Sequence, residues 1–506
     1  MRYVGYSEYF HDAGIAVIEE DGTISYATQS ERYSKIKNDP LIPDSLWDSV
    51  VQKNDKICYY QDPDLQHESN EIGSFEASVL DEKFKYTFNP GSIVYDNFNL
   101  HHVSHVAQGY YTRPWESKKN TVMVSIDGCG EYQSIVVYDS DFNVLKEYLW
   151  PCSLGSYYAE CTAKLGYKKL QDEYIVMGMS AYGEVSPEHL KILNDHWDMM
   201  TSIPTEKEKR ELAQYAWLER EDFSEEGITQ NTRLMGKRMQ WSWKNKFNNL
   251  KDEDIAATIQ KFTEDKIIEI MKFARKHGSK LIYSGGVAQN IVANSLIKDI
   301  FDDVHIAIAP ADSGSSIGTA AKTWSEETGG DKLIWSPYLG YDIKRKINPK
   351  EVVDYLIKNK VCGVANGKAE FGPRALGNRS LLGDVRYDIK DTVNKIKKRE
   401  LFRPFAPAIL EEYADEYFDG HKNEYMQYTC NAKHDYKSVI HIDGTSRCQV
   451  VKKDCQSVLR QILEEYYERT GVPMLLNTSL NIKGQPMLNN EQDVKEWQSK
   501  YNVRIF

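Results

Sequence analysis

The feature that most constrains the fold is a strand–glycine–strand unit that occurs twice along the chain. The first unit joins two β-rich runs, Ala13–Ile18 and Thr23–Ala27, through Asp21-Gly22. The second joins Thr121–Gly128 to Gln133–Tyr138. An Asp-Gly pair between two β-rich runs is typical of a hairpin turn. Because each unit carries an Asp or a His near its turn, the pattern predicts an α/β fold with a duplicated domain.

Charge balance and hydropathy argue against several classes of protein. The chain has 63 Lys and Arg against 75 Asp and Glu, a formal net charge of −12. That balance argues against a protein that coats nucleic acid or anionic membrane by bulk charge. No apolar run approaches the roughly 18 residues of a membrane span, and the N-terminus does not have the pattern of a signal peptide. The eight cysteines form no Cys-x-x-Cys pair, so we expect free thiols, a cytoplasmic protein and no membrane partner.

The 506 residues allow two to four domains. Apolar residues at helical spacing predict a helix over 254–277, with Gly278 as its C-cap. Lys280–Ser284 reads as a buried strand, and Val361–Ala365 starts another beyond a brief rise in Gly, Pro and aromatic content at Trp335–Gly340. We place the domain boundary there, which divides the chain into residues 1–337 and 338–506.

A first candidate site begins with two histidines four residues apart, His101 and His105. On a helix they share one face and can hold one metal ion, although such a pair is more often two surface histidines. Asp127 and Asp312 both look like strand ends before glycine turns, and they can bring carboxylates to the same place. A His-His-Asp-Asp set suits Fe, Mn or Zn, and spacing does not choose among them.

Three glycine-rich stretches follow predicted strands, at Asp127–Gly130, Ser284–Asn290 and Asp312–Gly318. The last two stretches open into helices, and backbone N–H groups at such helix starts can cradle phosphate, with help from the helix dipole. For any one stretch alone, a plain tight turn is the default interpretation. Three in order, with acidic residues, look like the phosphate loops of an actin-like, sugar-kinase-like ATPase.

A third candidate site is a concentration of cations in an acidic chain, over 370–380 and 394–407. Its members are Arg374, Arg379, Lys397, Arg399 and Arg403. A solvated basic helix face is the plain alternative, but Phe402, Pro404 and Phe405 are apolar anchors that fix the arginines. Fixed guanidinium groups suit phosphate, and Lys adds a point charge for a triphosphate. Arg447 and Asn477–Ser479 offer a further cation and small polar donors, so a phosphate or nucleotide site is favoured.

Taken together, these motifs resemble one family, the O-carbamoyltransferases of nodulation-factor and antibiotic-tailoring pathways. The resemblance rests on motifs in register along nearly the whole chain: His11-Asp12-Ala13, Glu31-Arg32, His101–His105, Asp127-Gly128, Ser153–Gly155, Met177-Gly178, Gly285–Asn290, Asp312–Gly314, Gly372–Ser380, Phe402–Pro407, Asp443–Thr445 and Leu476–Ser479.

The resemblance implies an N-terminal actin-like domain (the duplicated RNase H-like, ASKHA type) that bears a metal, and a C-terminal YrdC-like α/β domain. It implies that carbamoyl phosphate and ATP, with Mg²⁺, give carbamoyl adenylate in the C-terminal domain. The implied ligands there are Arg374, Lys397, Arg399, Arg403, Arg447, Asn477 and Ser479. The adenylate then passes to the N-terminal domain, where an acceptor hydroxyl attacks its carbonyl.

In the N-terminal domain the resemblance implies a metal on His101, His105, Asp127 and Asp312, and nucleotide contacts at Gly128, Gly285, Gly286 and Asn290. His11 is the candidate general base, beside Asp12, because imidazole titrates near neutral pH. Without the resemblance, His11 is equally well interpreted as a turn histidine that caps Asp12. Lys37 contributes charge near the leaving group.

One departure concerns the family's usual Glu-Gly-Lys before Met-Gly, which here is Glu173-Tyr174-Ile175. A cationic contact to nucleotide or acceptor is therefore missing at Ile175.

The acceptor is the least constrained part of the interpretation. Typical acceptors in the family are sugar or macrolide hydroxyls, and shorter relatives associated with phage-like genomes modify 5-hydroxymethylcytosine. The stretch Arg233–Lys246 has five cations, no acids and two tryptophans, which suits phosphates and base stacking as well as it suits an amphipathic helix. We therefore favour a hydroxymethylated cytosine in DNA or nucleotide, and we expect a homodimer. An actin-like ATPase or kinase without carbamoyl chemistry is the alternative from another class.

Overall fold

The computed structural model describes residues 1–65, 93–131, 133–149, 152–201 and 247–506. The stretch Arg233–Lys246, on which the nucleic-acid interpretation depends, lies outside these residues. Within the described residues, no helix is both long enough and apolar enough to cross a bilayer.

Two five-stranded sheets in the N-terminal half share one topology. The first is ordered β3-β2-β1-β4-β5, with β1 Arg2–Ser7, β2 Gly14–Glu19, β3 Ile24–Gln29, β4 Lys56–Tyr59 and β5 Asn97–Phe98. The second is ordered β10-β9-β6-β7-β8, with β6 Thr121–Gly130, β7 Gln133–Tyr138, β8 Val144–Leu149, β9 Lys280–Ser284 and β10 Asp303–Ile306. In each sheet three antiparallel strands are extended by two parallel strands. Both predicted hairpins are confirmed, β2–β3 in the first sheet and β6–β7 in the second.

The helices of the N-terminal half flank these sheets. They are α1 Glu31–Ser34, α2 Asp44–Val50, α3 His101–Tyr111, α4 Leu154–Lys164, α5 Glu173–Met179, α6 Pro187–Thr201, α7 Asp252–Arg275, α8 Ile291–Ile297 and α9 Asp312–Thr328. One apolar core lies under α4 and α7, and a second lies between the sheets around α3 and α9.

The C-terminal half has a central five-stranded mixed sheet, ordered β12-β14-β20-β15-β19. The strands of this half are β11 Tyr338–Ile343, β12 Val361–Ala365, β13 Gly367–Glu370, β14 Arg379–Gly383, β15 Ala406–Leu410, β16 Phe418–Asp419, β17 Cys430–Ala432, β18 Thr445–Ser446, β19 Gln449–Val451 and β20 Met474–Ser479. The helices are α10 Pro349–Asn359, α11 Lys390–Ile396, α12 Ala414–Tyr417, α13 Leu459–Thr470 and α14 Glu491–Tyr501. Two further cores cover the faces of the sheet. The described chain is thus a mixed α/β protein.

The predicted helix after Asp312–Gly318 is confirmed, but the predicted strand end at Asp312 is wrong. Asp312–Gly318 is the start of α9, and Asp312 begins this helix instead of ending a strand. A Cβ on Gly318 would lie 2.8 Å from the carbonyl carbon of Ser104, so the glycine lets α9 approach α3 closely. The sequence did not predict this contact, because the packing partner of Gly318 is far along the chain.

Two other glycine interpretations were also wrong. Asp127–Gly130 belongs to β6, whose pairing with β7 is interrupted between Ile126 and Gly130. The helix predicted over 254–277 is α7, but its C-cap is Lys276 in right-handed geometry. Gly278 instead passes close to the backbone of Asn120, where a Cβ would lie 2.7 Å from the carbonyl oxygen.

Candidate active site

The two histidines and two aspartates predicted to share a site come together in a buried cluster, here called the His/Asp cluster: His101, His105, Asp127 and Asp312. The two histidine Nε2 atoms are 3.0 Å apart, one turn apart on α3. His105 Nε2 lies 2.7 Å from Asp127 Oδ2 and 3.3 Å from Asp312 Oδ1. Strand β6 supplies Asp127, and the first residue of α9 is Asp312.

The charges of this cluster depend on one another. Burial alone would raise the carboxyl pKa values, but the adjacent histidines hold the pKa of Asp127 well below its usual range and also lower that of Asp312. Burial opposes charge on His105, yet the two carboxylates outweigh it and raise the pKa of His105 to about 10. The cluster therefore favours positive charge between its two carboxylates.

The donor set fits a metal ion. One ligand atom from each of the four residues lies within 4.8 Å of the others. Within the described residues, the buried Oδ2 atoms of Asp127 and Asp312 meet only histidine nitrogens, among them His105 Nε2 at 2.7 Å and His11 Nε2 at 3.8 Å, respectively. A cation would satisfy these oxygens, and mixed imidazole and carboxylate ligands suit Fe, Mn or Zn.

Residues that the sequence did not single out orient these ligands. Glu131 accepts the backbone N–H of His101 at 3.0 Å and so fixes the start of α3. Ser315 Oγ is 3.2 Å from His105 Nδ1. His102, by contrast, is held by Ser125 Oγ at 2.7 Å, and burial together with His101 lowers its pKa to about 3.

His11 lies at the edge of the His/Asp cluster, with Nε2 3.8 Å from Asp312 Oδ2. His11 does not cap Asp12, whose carboxylate accepts instead from Gln29 Nε2 at 3.3 Å and Ser313 Oγ at 2.9 Å. His11 is thus left facing the cluster with a buried, unbonded Nδ1.

Lys37 is oriented by a buried carboxylate that sequence reasoning did not assign. Its Nζ lies 2.7 Å from Glu31 Oε2, which also accepts the backbone N–H of Asn38 at 3.0 Å. Arg32 donates to the Gly372 carbonyl at 3.3 Å, which connects the two halves of the chain. The Glu31-Arg32 pair was the available signal, but its partners could not be read from the sequence.

A cavity of about 620 Å³ is lined by both halves of the chain. The candidate residues in its wall are His11, Asp12, Lys37, Asp127, Gly128, Gly286, Asn290, Arg374, Lys397, Arg399, Arg403, Arg447, Asn477 and Ser479. His101, His105, Asp312 and Gly285 lie behind that wall, and Asp127 connects the His/Asp cluster to the cavity. One space therefore adjoins both predicted centres.

The C-terminal wall carries the cation cluster, defined as Arg374, Lys397, Arg399, Arg403 and Arg447. Within the described ranges, the guanidinium groups of Arg374 and Arg447 have no hydrogen bond or ion pair. Burial, with repulsion from Arg403, lowers the pKa of Arg374 to about 10, and burial with neighbouring arginines lowers that of Arg447. Both arginines are half-buried in the cavity wall, where an unpaired cation is costly, so this wall favours a bound anion.

Two other cations of the cluster, Lys397 and Arg399, are held by neutral groups and an aromatic ring. Lys397 Nζ donates to Asn481 Oδ1 at 2.8 Å and to the Ser479 carbonyl. Arg399 lies 4.0 Å from the centre of the Phe405 ring and donates to the Pro404 carbonyl at 3.1 Å. The predicted anchoring of Arg399 by Pro404 and Phe405 is confirmed.

The remaining candidates differ in what they can offer a ligand. Asn477 gives its amide N–H groups to Ala375 and Gln449, which leaves a buried Oδ1 without a partner in the described chain. The Asn290 side chain caps α8 and pairs with Gln260. Both are therefore largely committed to the fold.

Three glycine and arginine positions are also clarified. Gly285 has φ +90°, and a Cβ there would lie 2.8 Å from the Ile126 nitrogen, so it serves chain packing. At Gly286 a Cβ would be 3.0 Å from Asp127 Oδ1, so this glycine leaves room beside that carboxylate. Arg379, grouped with the other cations by sequence, is wholly buried away from the cavity, where it donates to backbone carbonyls such as that of Tyr341 at 2.8 Å.

The departure at positions 173–175 has a simple structural form. Ile175 is fully buried in the core, while Glu173 and Tyr174 line the cavity. Burial raises the pKa of Glu173 to about 7. Position 175 therefore offers no cation to the cavity. Helix α5 instead presents the carboxyl group of Glu173 and the phenol of Tyr174 there.

Family models match both halves of the sequence. A model described as carbamoyltransferase N-terminus matches residues 47–321, and one described as carbamoyltransferase C-terminus matches residues 353–506. The chain is 28% identical to the nodulation protein NolNO of Sinorhizobium fredii, over 96% of this chain and 76% of that protein. It is 33% identical to nodulation protein U of Rhizobium tropici, over 48% of this chain and 47% of that protein.

Solved structures give weaker likenesses. The activator of the 2-hydroxyisocaproyl-CoA dehydratase from Clostridium difficile matches 66% of this chain and all of that chain, at 11% identity and a TM-score of 0.32. Full-length HypF matches 65% of this chain and 46% of that chain, at 14% identity and a TM-score of 0.28. Similarity at this level supports no statement about ligands or about the class of fold.

Proposed function

The chain belongs to the carbamoyltransferase family and is a carbamoyltransferase, and from this premise we propose that it works in two ATP-dependent steps. In the first, water hydrolyses carbamoyl phosphate to carbamate and phosphate, and a carbamate oxygen displaces pyrophosphate from the α-phosphorus of ATP. In the second, an acceptor hydroxyl attacks the carbonyl of the carbamoyl adenylate and AMP leaves. Carbamate is a poor electrophile, and the adenylate gives it a good leaving group.

The cation cluster supports the first step. Arg374 and Arg447 face the cavity with no carboxylate partner among the described residues, so their charge is available to phosphate oxygens. Lys397 and Arg399 are fixed by neutral groups, which orients them without cancelling their charge. Arginine forks bind phosphate in two-point fashion, and with Mg²⁺ they would stabilise charge as pyrophosphate departs. This unpaired positive wall is the observation that carries the proposal.

The His/Asp cluster supports the second step. His101, His105, Asp127 and Asp312 would hold a divalent Fe, Mn or Zn ion, and such an ion would act as a Lewis acid toward the substrate. His11, close to Asp312, would take the proton of the acceptor hydroxyl at Nε2. Lys37, oriented by Glu31, would offer positive charge to the leaving AMP.

The shared cavity supports the order of the two steps. Its wall includes both His11 and Arg447, so the adenylate can pass between the two centres within one cavity. Mixed anhydrides hydrolyse readily, and a water-poor path limits that loss. This argument applies to an enzyme in the cytoplasm, where ATP and carbamoyl phosphate are at hand.

We also propose the domain assignment. Residues 1–337 form an actin-like transfer domain, supported by the two sheets of equal strand order. Because they lack side chains, Gly128 and Gly286 would let the nucleotide contact the protein backbone beside Asp127. Gly285 and Asn290 would instead contribute by maintaining the local fold. Residues 338–506 form a YrdC-like domain, supported by the cation cluster around the central sheet.

For the acceptor we propose the hydroxymethyl group of 5-hydroxymethylcytosine, in DNA or nucleotide, against a sugar or natural-product hydroxyl. The support is the composition of Arg233–Lys246. A panel of hydroxymethylated DNA, the free nucleotide and sugar acceptors distinguishes these classes. Carbamoylation of no cytosine form would rule out the nucleobase acceptor and leave the two-step chemistry intact.

ATP–pyrophosphate exchange that depends on carbamoyl phosphate tests the two-step proposal. Arg403→Ala should abolish this exchange, since Arg403 belongs to the first centre. His11→Ala should keep the exchange and lose carbamoyl transfer. Loss of both activities in His11→Ala would refute this division of labour, and exchange or ATP hydrolysis that ignores carbamoyl phosphate would favour an actin-like ATPase or kinase.

A further inference from the structure

One aromatic ring crosses from the N-terminal half to the cation cluster. Tyr174, on α5, is 40% exposed and lines the cavity. The centre of its ring lies 4.6 Å from Cζ of Arg403, which belongs to the C-terminal half. Tyr174 also lies close enough to Arg374 and Arg399 to interact with their charges. A ring from one half thus contacts the phosphate-facing wall of the other.

Arg403 has little else to hold it. Its ion pair in the described chain is with Glu400, at 3.4 Å, and Lys483 pairs with the same carboxylate. An aromatic face attracts a guanidinium group without neutralising it, whereas a second carboxylate would compete with phosphate for its N–H groups.

We propose that Tyr174 is a positioning residue that holds Arg403 ready for the phosphates of ATP. The ring acts through its face, so the phenol hydroxyl is not required. This inference rests on the proposed ATP site, but it concerns a residue of the transfer half that acts on the other half. It makes ATP binding in the C-terminal wall depend on the correct seating of α5.

The experiment compares Tyr174→Leu with Tyr174→Phe. We expect Tyr174→Leu to weaken ATP about fivefold, in calorimetric Kd and in KM for exchange, with kcat changed less than about twofold. Tyr174→Phe should match the wild type, because the ring remains. The matched control is Tyr387→Leu, since Tyr387 is 42% exposed, has Lys360 4.2 Å from its ring centre and lies outside the cavity wall.

A double-mutant cycle completes the test. In an Arg403→Ala background, Tyr174→Leu should weaken the calorimetric Kd for ATP no further. Any of three results would overturn the inference. Tyr174→Leu could bind ATP with the wild-type Kd, or Tyr174→Phe could weaken ATP binding as much as Tyr174→Leu does. The double variant could also show the sum of the two single losses in ATP affinity. The Kd for ATP is measured without carbamoyl phosphate, so these outcomes are distinct from a failure of the two-step chemistry. That failure would appear as wild-type protein whose ATP–pyrophosphate exchange does not depend on carbamoyl phosphate.

Discussion

Gly318→Ala should disrupt the His/Asp cluster without changing any of its four side chains. Gly318 lies on α9, six residues after Asp312, and packs against the turn of α3 between His101 and His105. An added Cβ would overlap the Ser104 carbonyl oxygen and lie 2.8 Å from the carbonyl carbon. The substitution therefore pushes apart the two helices that carry three of the four ligands.

The size of the effect follows from these distances. Carbon atoms rest in contact at about 3.5–4.0 Å, so the backbones have to separate by roughly 0.7 Å or more. The 3.3 Å between His105 Nε2 and Asp312 Oδ1 would grow accordingly. Metal–ligand distances tolerate only about 0.2 Å, and overpacking typically costs about 1–3 kcal/mol. We expect loss of bound metal together with a loss of stability in that range.

The assay is metal content by mass spectrometry, with denaturant unfolding in parallel. Gly178→Ala is the matched control, because the nearest atom to its added Cβ is 4.0 Å away and the site is inside helix α5. The Gly178→Ala protein should keep its metal, and its free energy of unfolding should rise by about 0.5–1 kcal/mol. Wild-type metal content and stability in Gly318→Ala would refute the packing argument.

Two further predictions concern pH and metal removal. Burial raises the pKa of Glu8 to about 7, so the folded state keeps this proton to higher pH than the unfolded chain, and its contribution to stability falls as pH rises from about 4.5 to about 7. The Glu8→Gln variant keeps an acceptor for the Ile42 N–H. In urea unfolding it should be more stable than wild type at pH 8 by on the order of 3 kcal/mol, and similar to wild type at pH 4. Equal stability of the two proteins at pH 8 would contradict this. A chelator should lower the unfolding temperature of wild-type protein but not that of Asp312→Asn. Re-addition of Fe, Mn or Zn should restore the unfolding temperature of the wild type. An equal response in both proteins would argue against a metal at the His/Asp cluster.

Local patterns of the sequence predicted the elements well. The hairpin around Asp21-Gly22 and the shared face of His101 and His105 depend on neighbours within a few residues, so spacing alone was enough. The stacking of Arg399 on Phe405 is equally local.

Long-range partners explain what the sequence did not reveal. Glu131 holds the start of α3 from 30 residues away, and nothing near it announces that role. The packing role of Gly318 could not be predicted from the sequence, because its partner, Ser104, lies on another helix. Arg379 and Arg374 carry the same charge five positions apart, but β14 directs Arg379 into the interior, and only the assembled sheet decides this.

The most direct test of the two-step account is detection of the intermediate. Wild-type protein would be incubated with ATP, Mg²⁺ and carbamoyl phosphate labelled with ¹³C at its carbonyl, without acceptor, and the nucleotides would be analysed by mass spectrometry. The account predicts AMP that carries the labelled carbamoyl group, together with pyrophosphate, and neither when Arg447 is replaced by Met. ADP as the product, or neither labelled adenylate nor pyrophosphate from a preparation that transfers carbamoyl once acceptor is added, would contradict it.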